Sequence, residues 1–270
     1  MYFVYFVVCS ASFASLRCER KRKTMPRYFT LCGMLIIGLS LLWVGCERGS
    51  DRDTVPPNPP VVLPSSEPTS SDEQGIDAIP ERDWIRLEWW AGPEEDLAGY
   101  EIYRRREGEA VDSLIAVLLI EEISGDVAFY VDDEAELHVR YFYTIKAFDE
   151  SDNVSTASEP LTYMLLSKLV PDQPRGDIED RTPEFIFQWG DDPSAVISYV
   201  VKVTDATGTY LWIAFGIARE YENPGHIMYN VDGKAKSDSL ESGVYRWRVD
   251  GVGREEYSGS ESRWMRFKVR

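Results

Sequence analysis

The stretch "YFYTIKAFD", residues 141–149, separates its side chains into two sets with a period of two. One set is apolar or aromatic throughout and comprises Tyr141, Tyr143, Ile145 and Ala147. The other set is mixed and includes Thr144 and Lys146. Because successive side chains of a strand point to opposite faces, the pattern predicts a β-strand with one buried face.

The same period recurs on both sides of this stretch. It is found in "WIRLEWW" (84–90) before it, and in "FIFQW" (185–189), "SYVVKVTD" (198–205) and "GVYRWRVDG" (243–251) after it. Turn-forming segments such as "AGPEED" (91–96) separate the runs. No segment after Cys46 shows a sustained helical period. The sequence therefore predicts an all-β fold.

Charge is distributed unevenly along the chain. The 270 residues carry a formal net charge of −17, and the six basic groups and one acidic group of residues 1–46 leave −22 for the remainder. Such a surface repels phosphate backbones, so nucleic acid is not expected as a partner. It is suited to attract cations or a basic partner, although a solvated acidic surface is the simpler interpretation.

Cysteine and histidine usage argues against several kinds of site. All four cysteines, Cys9, Cys18, Cys32 and Cys46, lie in the first 46 residues. The remaining chain therefore has no disulfide framework, thiol nucleophile or thiolate metal site. With two histidines in the whole chain, a His-rich metal site is not expected either. We predict no catalytic residues, no metal and no cofactor.

The segment from Met25 to Cys46 has the order of a secretory signal. Basic Arg27 precedes an apolar run over residues 28–44, and small Gly45 then precedes Cys46. The layout resembles the lipobox of bacterial lipoproteins, in which the cysteine is lipidated, although Trp43 stands where Leu is usual in that family. The resemblance implies a signal peptide over 25–45, lipid attachment at Cys46, and a protein held at a membrane of the cell envelope.

Alternatives remain open for this N-terminal part. The apolar run is also compatible with an uncleaved anchor helix, which would place the rest of the chain outside the cytoplasm as well. The resemblance to lipoproteins favours the outer membrane, with the chain facing the periplasm or the exterior. We interpret residues 1–24 as an upstream extension from a misassigned start, with an additional membrane segment as the alternative. Residues 46–58, rich in proline and charge, predict an extended flexible tether.

Two halves beyond the tether repeat one order of segments at roughly 100 residues, which favours two copies of a sandwich domain. The first half contains "IRLEWW" (85–90), "DLAGYEIYRR" (96–105), "YFYTIKAFD" (141–149) and "SDNVSTASEP" (151–160). The second contains "TPEFIFQW" (182–189), "ISYVVKVTD" (197–205), "LESGVYRWRVDGVG" (240–253) and "SESRWMRFKV" (260–269).

This order resembles that of fibronectin type III domains, which are immunoglobulin-like β-sandwiches. The resemblance implies two such domains, over residues 59–166 and 167–270. It also implies structural core roles for Trp89 and Tyr141 in the first copy, and for Trp189 and Tyr245 in the second. Two segments depart from the family pattern: the insertion between Leu63 and Trp84, and "AFGIAREYENPGHIMYN" (214–230), which we interpret as an enlarged loop.

Candidate chemistry is sparse. Paired carboxylates such as Asp191 and Asp192 lie at predicted turns, where Asp favours the local backbone. The alternating oxygens of Asp149, Ser151 and Asn153 are loosely like a calcium loop, but the glycine and distant glutamate of such loops are missing, so a hairpin turn is favoured.

Ligand-binding residues are unknown from the sequence. Trp84 and Trp90 are weak candidates, because both point away from the predicted core face of their strand and could stack on sugar rings; packing against the insertion or the neighbouring domain is the favoured alternative. The sequence predicts a non-catalytic binding or spacer module with an unknown protein or polysaccharide partner at the cell surface. The alternatives are a carbohydrate-binding surface module and a non-catalytic subunit of a larger envelope assembly.

Overall fold

The computed structural model describes residues 53–71, 73–217 and 224–270. The segments predicted as upstream extension and signal peptide, and the predicted lipidation site Cys46, lie outside these residues. Among the residues described, no helix is long and apolar enough to cross a membrane. The described part of the chain contains β-strands and two short 3-10 turns, Ile120–Glu122 and Pro193–Ala195.

The strands fall into two groups along the chain. The first group is β1 Val61–Val62, β2 Ile76–Ile79, β3 Arg82–Trp90, β4 Leu97–Arg106, β5 Ser113–Leu119, β6 Val127–Asp132, β7 Arg140–Asp149 and β8 Leu161–Leu165. The second group is β9 Val170–Gln173, β10 Gly176–Ile178, β11 Glu184–Gln188, β12 Val196–Asp205, β13 Tyr210–Ile217, β14 Gly225–Met228, β15 Gly243–Gly253, β16 Ser258–Glu261 and β17 Met265–Val269. We call the two groups the first and second sandwich.

The first sandwich packs two antiparallel layers. One layer has β3 at its centre with β1 and β2 along one edge and β6 along the other. The second layer runs β5-β4-β7-β8. Alternate residues of β3 and β7, including Ile85, Leu87, Tyr143 and Ile145, are completely buried between the layers. The period of two in the sequence thus corresponds to the inward face of each strand.

The second sandwich repeats this plan with its own core. One layer is β14-β11-β9, and the other is built on the long antiparallel pair β12 and β15, with β13, β17 and β10 extending it. Phe185, Phe187, Trp212 and Trp247 fill the space between the layers. The all-β fold with immunoglobulin-like sandwiches, predicted from the sequence, is confirmed.

A single sheet continues from one sandwich into the other. β8 of the first sandwich pairs in parallel with β16 of the second, with Met164 opposite Ser258 and Leu165 opposite Gly259. The backbone N–H of Met164 donates to Tyr257 at 3.0 Å, and that of Leu166 donates to Gly259 at 2.8 Å. Residues Asp51–Arg270 accordingly form one compact unit.

The two segments that depart from the family pattern are structured. The insertion after Leu63 contributes β2, which pairs with β3, and a loop that reaches the second sandwich. The segment 214–230, interpreted from the sequence as an enlarged loop, contains the end of β13 and all of β14 among its described residues. Its aromatic and β-branched residues suit strands, and β13 pairs with β12 while β14 pairs with β11.

Candidate functional site

The predicted core residues of the first sandwich lie inside it. Trp89 and Tyr141 are both completely buried, and Trp89 packs edge-on against Tyr100 with ring centroids 5.3 Å apart. The Tyr141 hydroxyl accepts a hydrogen bond from the backbone N–H of Glu136 at 3.2 Å. This bond ties the crossing loop to the sheet, as a tyrosine corner does.

In the second sandwich the two predicted core residues differ in burial. Tyr245 is 7% exposed and donates its hydroxyl hydrogen to the Glu241 carbonyl at 2.8 Å, so it also anchors the preceding turn. Trp189 is only partly buried, at the edge of the core. It follows β11 and packs against Phe187 and Tyr199, while completely buried Trp247 of β15 lies within the core.

Trp84 and Trp90 lie on the outer face of β3. Trp90 is 48% exposed, while Trp84 is partly buried with the Arg82 guanidinium 5.8 Å from its ring centroid. The neighbouring strand β6 places Phe129, 50% exposed, on the same face, where the Arg86 guanidinium lies 4.3 Å from its ring. Trp90 and Phe129 form an exposed apolar surface of the first sandwich.

The carboxylates considered as calcium ligands or catalytic pairs have turn roles. Asp149 Oδ1 accepts the backbone N–H groups of Ser151 and Asn153, each at 2.8 Å, so it closes the turn after β7 as predicted. Asp192 caps a 3-10 turn by accepting from the backbone N–H of Ser194 at 3.2 Å. These bonds lower the pKa of Asp192, with the Ser194 side chain as the largest cause.

A different group of charged side chains, most of them buried, lies where the sandwiches meet. Glu73, in the insertion of the first sandwich, accepts a hydrogen bond from Lys202 Nζ of β12 at 2.7 Å and is ion-paired with Arg248 of β15. Lys202 and Arg248 are only 2% and 1% exposed. A loop of one sandwich therefore supplies a counter-charge to two buried cations of the other, and buried charges require such partners.

Arg248 is the centre of this group. Its Nη1 and Nη2 donate to the two carboxylate oxygens of Glu261 in β16, at 3.1 and 2.5 Å. Its Nε lies 3.1 Å from Asp250 Oδ1, and its guanidinium lies 4.9 Å from the Trp264 ring centroid. The planar guanidinium is suited to several partners at once. Burial opposes its charge, but the surrounding carboxylates, Asp250 first, raise the pKa of Arg248.

A second contact holds the sandwiches together beside this group. Lys168, which follows β8, donates its ammonium hydrogens to the Ile79 carbonyl of the first sandwich at 2.7 Å and to the Glu261 carbonyl of the second at 2.6 Å. Burial lowers the pKa of Lys168. The ammonium group thus bridges backbone atoms of both sandwiches.

Burial also shifts the carboxyl groups of the junction. It raises the pKa of Asp77 in β2 to about 6, even though Asp77 Oδ1 accepts from the Tyr163 hydroxyl and the Ala78 N–H, both at 2.8 Å. Burial likewise raises the pKa of Asp250 and of Glu261. Perturbed groups of this kind mark candidate functional sites, although structural ion networks produce them too.

These groups line a cleft of about 340 Å³ between the sandwiches. Its walls come from the insertion at 65–68, from β2 and Tyr163, and from the hairpin of β15 and β16. The volume is in the range of small-molecule sites, which occur preferentially at domain interfaces. Among the described residues, this cleft and its buried charges are the strongest candidate site.

A metal ion does not fit the inner end of the cleft. Oxygen atoms of Glu73, Asp250 and Glu261 lie within 4.8 Å of one another, as ligands of one ion would. However, the Arg248 guanidinium already contacts all three carboxylates. A metal ion at their centre would meet this fixed positive charge, so the three carboxylates hold Arg248 rather than a metal ion.

Sequence reasoning missed this site. Lys202 and Arg248 fall on the strand face opposite the core residues, where a period of two predicts exposure. A signal was nevertheless present in "YVVKV" (199–203), where consecutive valines make both faces apolar. Val200 is indeed completely buried. A strand buried on both faces indicates that the charged residue within it is buried as well.

Comparisons with known proteins give distant structural likenesses. No family model matches the chain, and no curated protein matches it. The β-1,2-glucanase from Parabacteroides distasonis is 25% identical with a TM-score of 0.30, over 41% of this chain and 13% of the glucanase. The chain thus spans a small part of that enzyme's length.

Two chicken structures contain fibronectin-type domains. The FN1-FN3 domains of chicken CNTN1 are 14% identical with a TM-score of 0.33, over 79% of this chain and 69% of theirs. A segment of two fibronectin type III domains from chicken tenascin is 12% identical with a TM-score of 0.27, over 80% of this chain and all of that segment. Likenesses at this level carry no argument about function.

Proposed function

We propose that the protein is a non-catalytic spacer and display module of the cell envelope, anchored through a lipid at Cys46. The predicted tether 46–58 is shorter in the structure, because Asp53 and Asn58 are hydrogen-bonded to Asn153 and Glu94 of the first sandwich. Only the part before Asp53 would hold the sandwiches away from the membrane, at ~3.1 Å per residue. The proposal supposes export through the signal segment 25–45. A partner at the cell surface, protein or polysaccharide, would be bound by the loops and exposed faces of the sandwiches.

One observation carries the spacer role: the sheet continues through β8 and β16, and ion pairs bridge the same junction. Two sandwiches joined only by a linker would reorient freely, because interfaces between domains of one chain are usually mobile. Backbone pairing and buried cross-sandwich charges fix their relative orientation. Such a rigid unit would hold a binding face at a fixed distance and orientation from the membrane anchor.

Rigidity can be tested with paired spin labels. Val111 in the first sandwich and Val231 in the second are 74% and 66% exposed, so cysteines there accept labels without disturbing a core. In the full chain with its native cysteines replaced by serine, we expect one narrow distance distribution. Arg248→Met should broaden it, whereas the exposed Arg266→Met should not. A broad distribution in the parent protein would contradict the spacer role.

The display role can be tested in cells. Deleting residues 47–52, which leaves the contacts of Asp53 and Asn58 with the first sandwich in place, should reduce cross-linking to the envelope partner. A glycine-serine linker of equal length should restore it, because reach rather than contact is lost. Turnover of a polysaccharide or peptide that disappears on replacing Asp191 and Asp192 by asparagine would show instead that the protein is an enzyme.

A carbohydrate-binding role is the second candidate, and it is favoured by the exposed surface of Trp90 and Phe129. Trp90 and Phe129 are half exposed on the same outer sheet face, and exposed aromatic rings can stack on sugar rings. On a glycan array, Trp90→Ala should abolish any specific signal, while Trp84→Ala should reduce it less because Trp84 is already partly covered. A signal that survives both substitutions would show that sugars do not bind at this face.

A further inference from the structure

The cleft between the sandwiches has a deficit of positive charge at its inner end. Four carboxylates meet there, those of Glu73, Asp77, Asp250 and Glu261. Two cations, Lys202 and Arg248, are paired with them. Lys168 adds a third positive charge, held by backbone carbonyls, so the four carboxylates still outnumber the cations. The inner cleft is therefore more acidic than its built-in cations can balance.

Asp250 is the carboxylate with the poorest partners. It is 6% exposed, and neither of its carboxylate oxygens has a hydrogen-bond donor among the described residues. Lys202 Nζ at 3.4 Å and Arg248 Nε at 3.1 Å are ion-pair neighbours without hydrogen-bond geometry. Both cations bond more closely to other carboxylates, Lys202 to Glu73 and Arg248 to Glu261.

A buried acceptor without a donor is costly, and it lines the cleft. Asp77 lies in the same wall and has the Tyr163 hydroxyl and one backbone N–H as donors, but no cation hydrogen-bonded to it. A ligand that enters with both a positive charge and N–H donors would satisfy Asp250 and balance the two carboxylates together.

The rest of the cleft has room for more than an ion. Val252 offers apolar surface inside it, and Glu67 and Glu256 are exposed carboxylates of its lining. The cleft is therefore acidic at both ends with apolar wall between them. An aliphatic stem with a cationic group at each end has the complementary distribution of charge.

We propose that this cleft binds a small aliphatic diamine. One ammonium group donates to Asp250 and Asp77 at the inner end, the methylene groups pack on Val252, and the second ammonium group faces Glu67 and Glu256. A bare metal ion is disfavoured because Arg248 occupies the centre of the inner carboxylates. A neutral polyol would satisfy hydrogen bonds but would leave the charge deficit.

The experiment is isothermal titration of the full chain, purified in detergent, with 1,5-diaminopentane at pH 6. We expect saturable binding that weakens at least tenfold in Asp250→Asn and in Asp77→Asn, which keep the shape of the wall. Asp126→Asn is the matched control, because Asp126 is exposed and does not line the cleft. Tryptophan fluorescence checks folding, and if Asp250→Asn does not fold, Asp77→Asn decides.

Further arms identify the source and the competing ligands. If Nα-acetyl-lysine methylamide binds as tightly as the diamine, the natural ligand is a lysine side chain of a partner protein. If it binds more weakly, the natural ligand is a free diamine. The proposal is overturned if the diamine does not saturate the protein at concentrations up to about 10 mM, which is well above the dissociation constant of a site that binds in the millimolar range. Binding that is unchanged in both aspartate variants, or tighter binding of Ca²⁺ or glucose at the same site, also overturns it. This inference does not depend on the spacer role.

Discussion

Replacing Asp77 by asparagine tests whether the junction between the sandwiches stores a proton-dependent free energy. Burial raises the pKa of Asp77 from 3.8 to about 6. The folded protein therefore binds this proton more tightly than the unfolded chain does. The resulting stabilisation is present at low pH and is lost as the pH rises through 6. Asparagine keeps an oxygen for the Tyr163 hydroxyl and the Ala78 N–H and removes the titration.

The size of the effect follows from the two pKa values. A carboxyl group with a pKa of 3.8 in the unfolded chain and about 6 in the folded protein gains about 1.4 kcal/mol of folding free energy between pH 7.5 and pH 5. Asp77 keeps part of its surface exposed to solvent, and solvent screens the effect of burial. We therefore expect a gain in folding free energy of about 1 kcal/mol. The parent protein should gain this much more stability than Asp77→Asn over the same interval.

Urea unfolding at constant ionic strength, followed by tryptophan fluorescence at pH 5 and pH 7.5, measures this difference directly. Asp126→Asn, at an exposed position, should have the pH dependence of the parent. At pH 7.5 the Asp77→Asn protein should be at least as stable as the parent, because no charge is buried. Equal pH dependence in the parent and in Asp77→Asn would refute the argument that burial at the junction raises this pKa.

Three further outcomes are expected. Cys46→Ala should abolish metabolic labelling with a lipid precursor and leave an uncleaved form on a gel; labelling equal to the parent would rule out lipidation at this residue. Trp89→Ala should lower the free energy of unfolding by ~3–5 kcal/mol and Trp189→Ala by only about 1–2 kcal/mol, because Trp89 is completely buried and Trp189 partly so; denaturant titrations showing equal losses would contradict this ranking. Arg248→Met should cost about 3–5 kcal/mol because Glu261 and Asp250 stay buried without its charge, whereas exposed Arg266→Met should be nearly neutral in the same titration.

Much of the fold was predictable because each strand carries its own local pattern. In β7 every second side chain is apolar, and the structure buries that set, including Tyr143 and Ile145. The period of two survives folding because each strand has one face against a core made by its own sandwich. Trp189 follows β11 and packs against the second core while remaining partly buried.

The candidate site was not predictable in the same way. Glu73 and Lys202 are 129 residues apart in the chain, and no local pattern in either segment indicates that they form an ion pair. Arg248 falls on the strand face that alternation marks as outward. One of its ion-pair partners, Glu73, comes from a loop of the other half of the protein.

The amino-acid sequence by itself determined the strands, their inward faces and the repetition of one sandwich plan, since these depend on side-chain alternation and turn residues within short segments. The tertiary structure decided how the two sandwiches meet: by parallel pairing of β8 with β16 and by a buried group of charges. The physical reason is that burial of a charge is tolerated only when partners from distant segments converge on it, and that convergence is a property of the assembled fold.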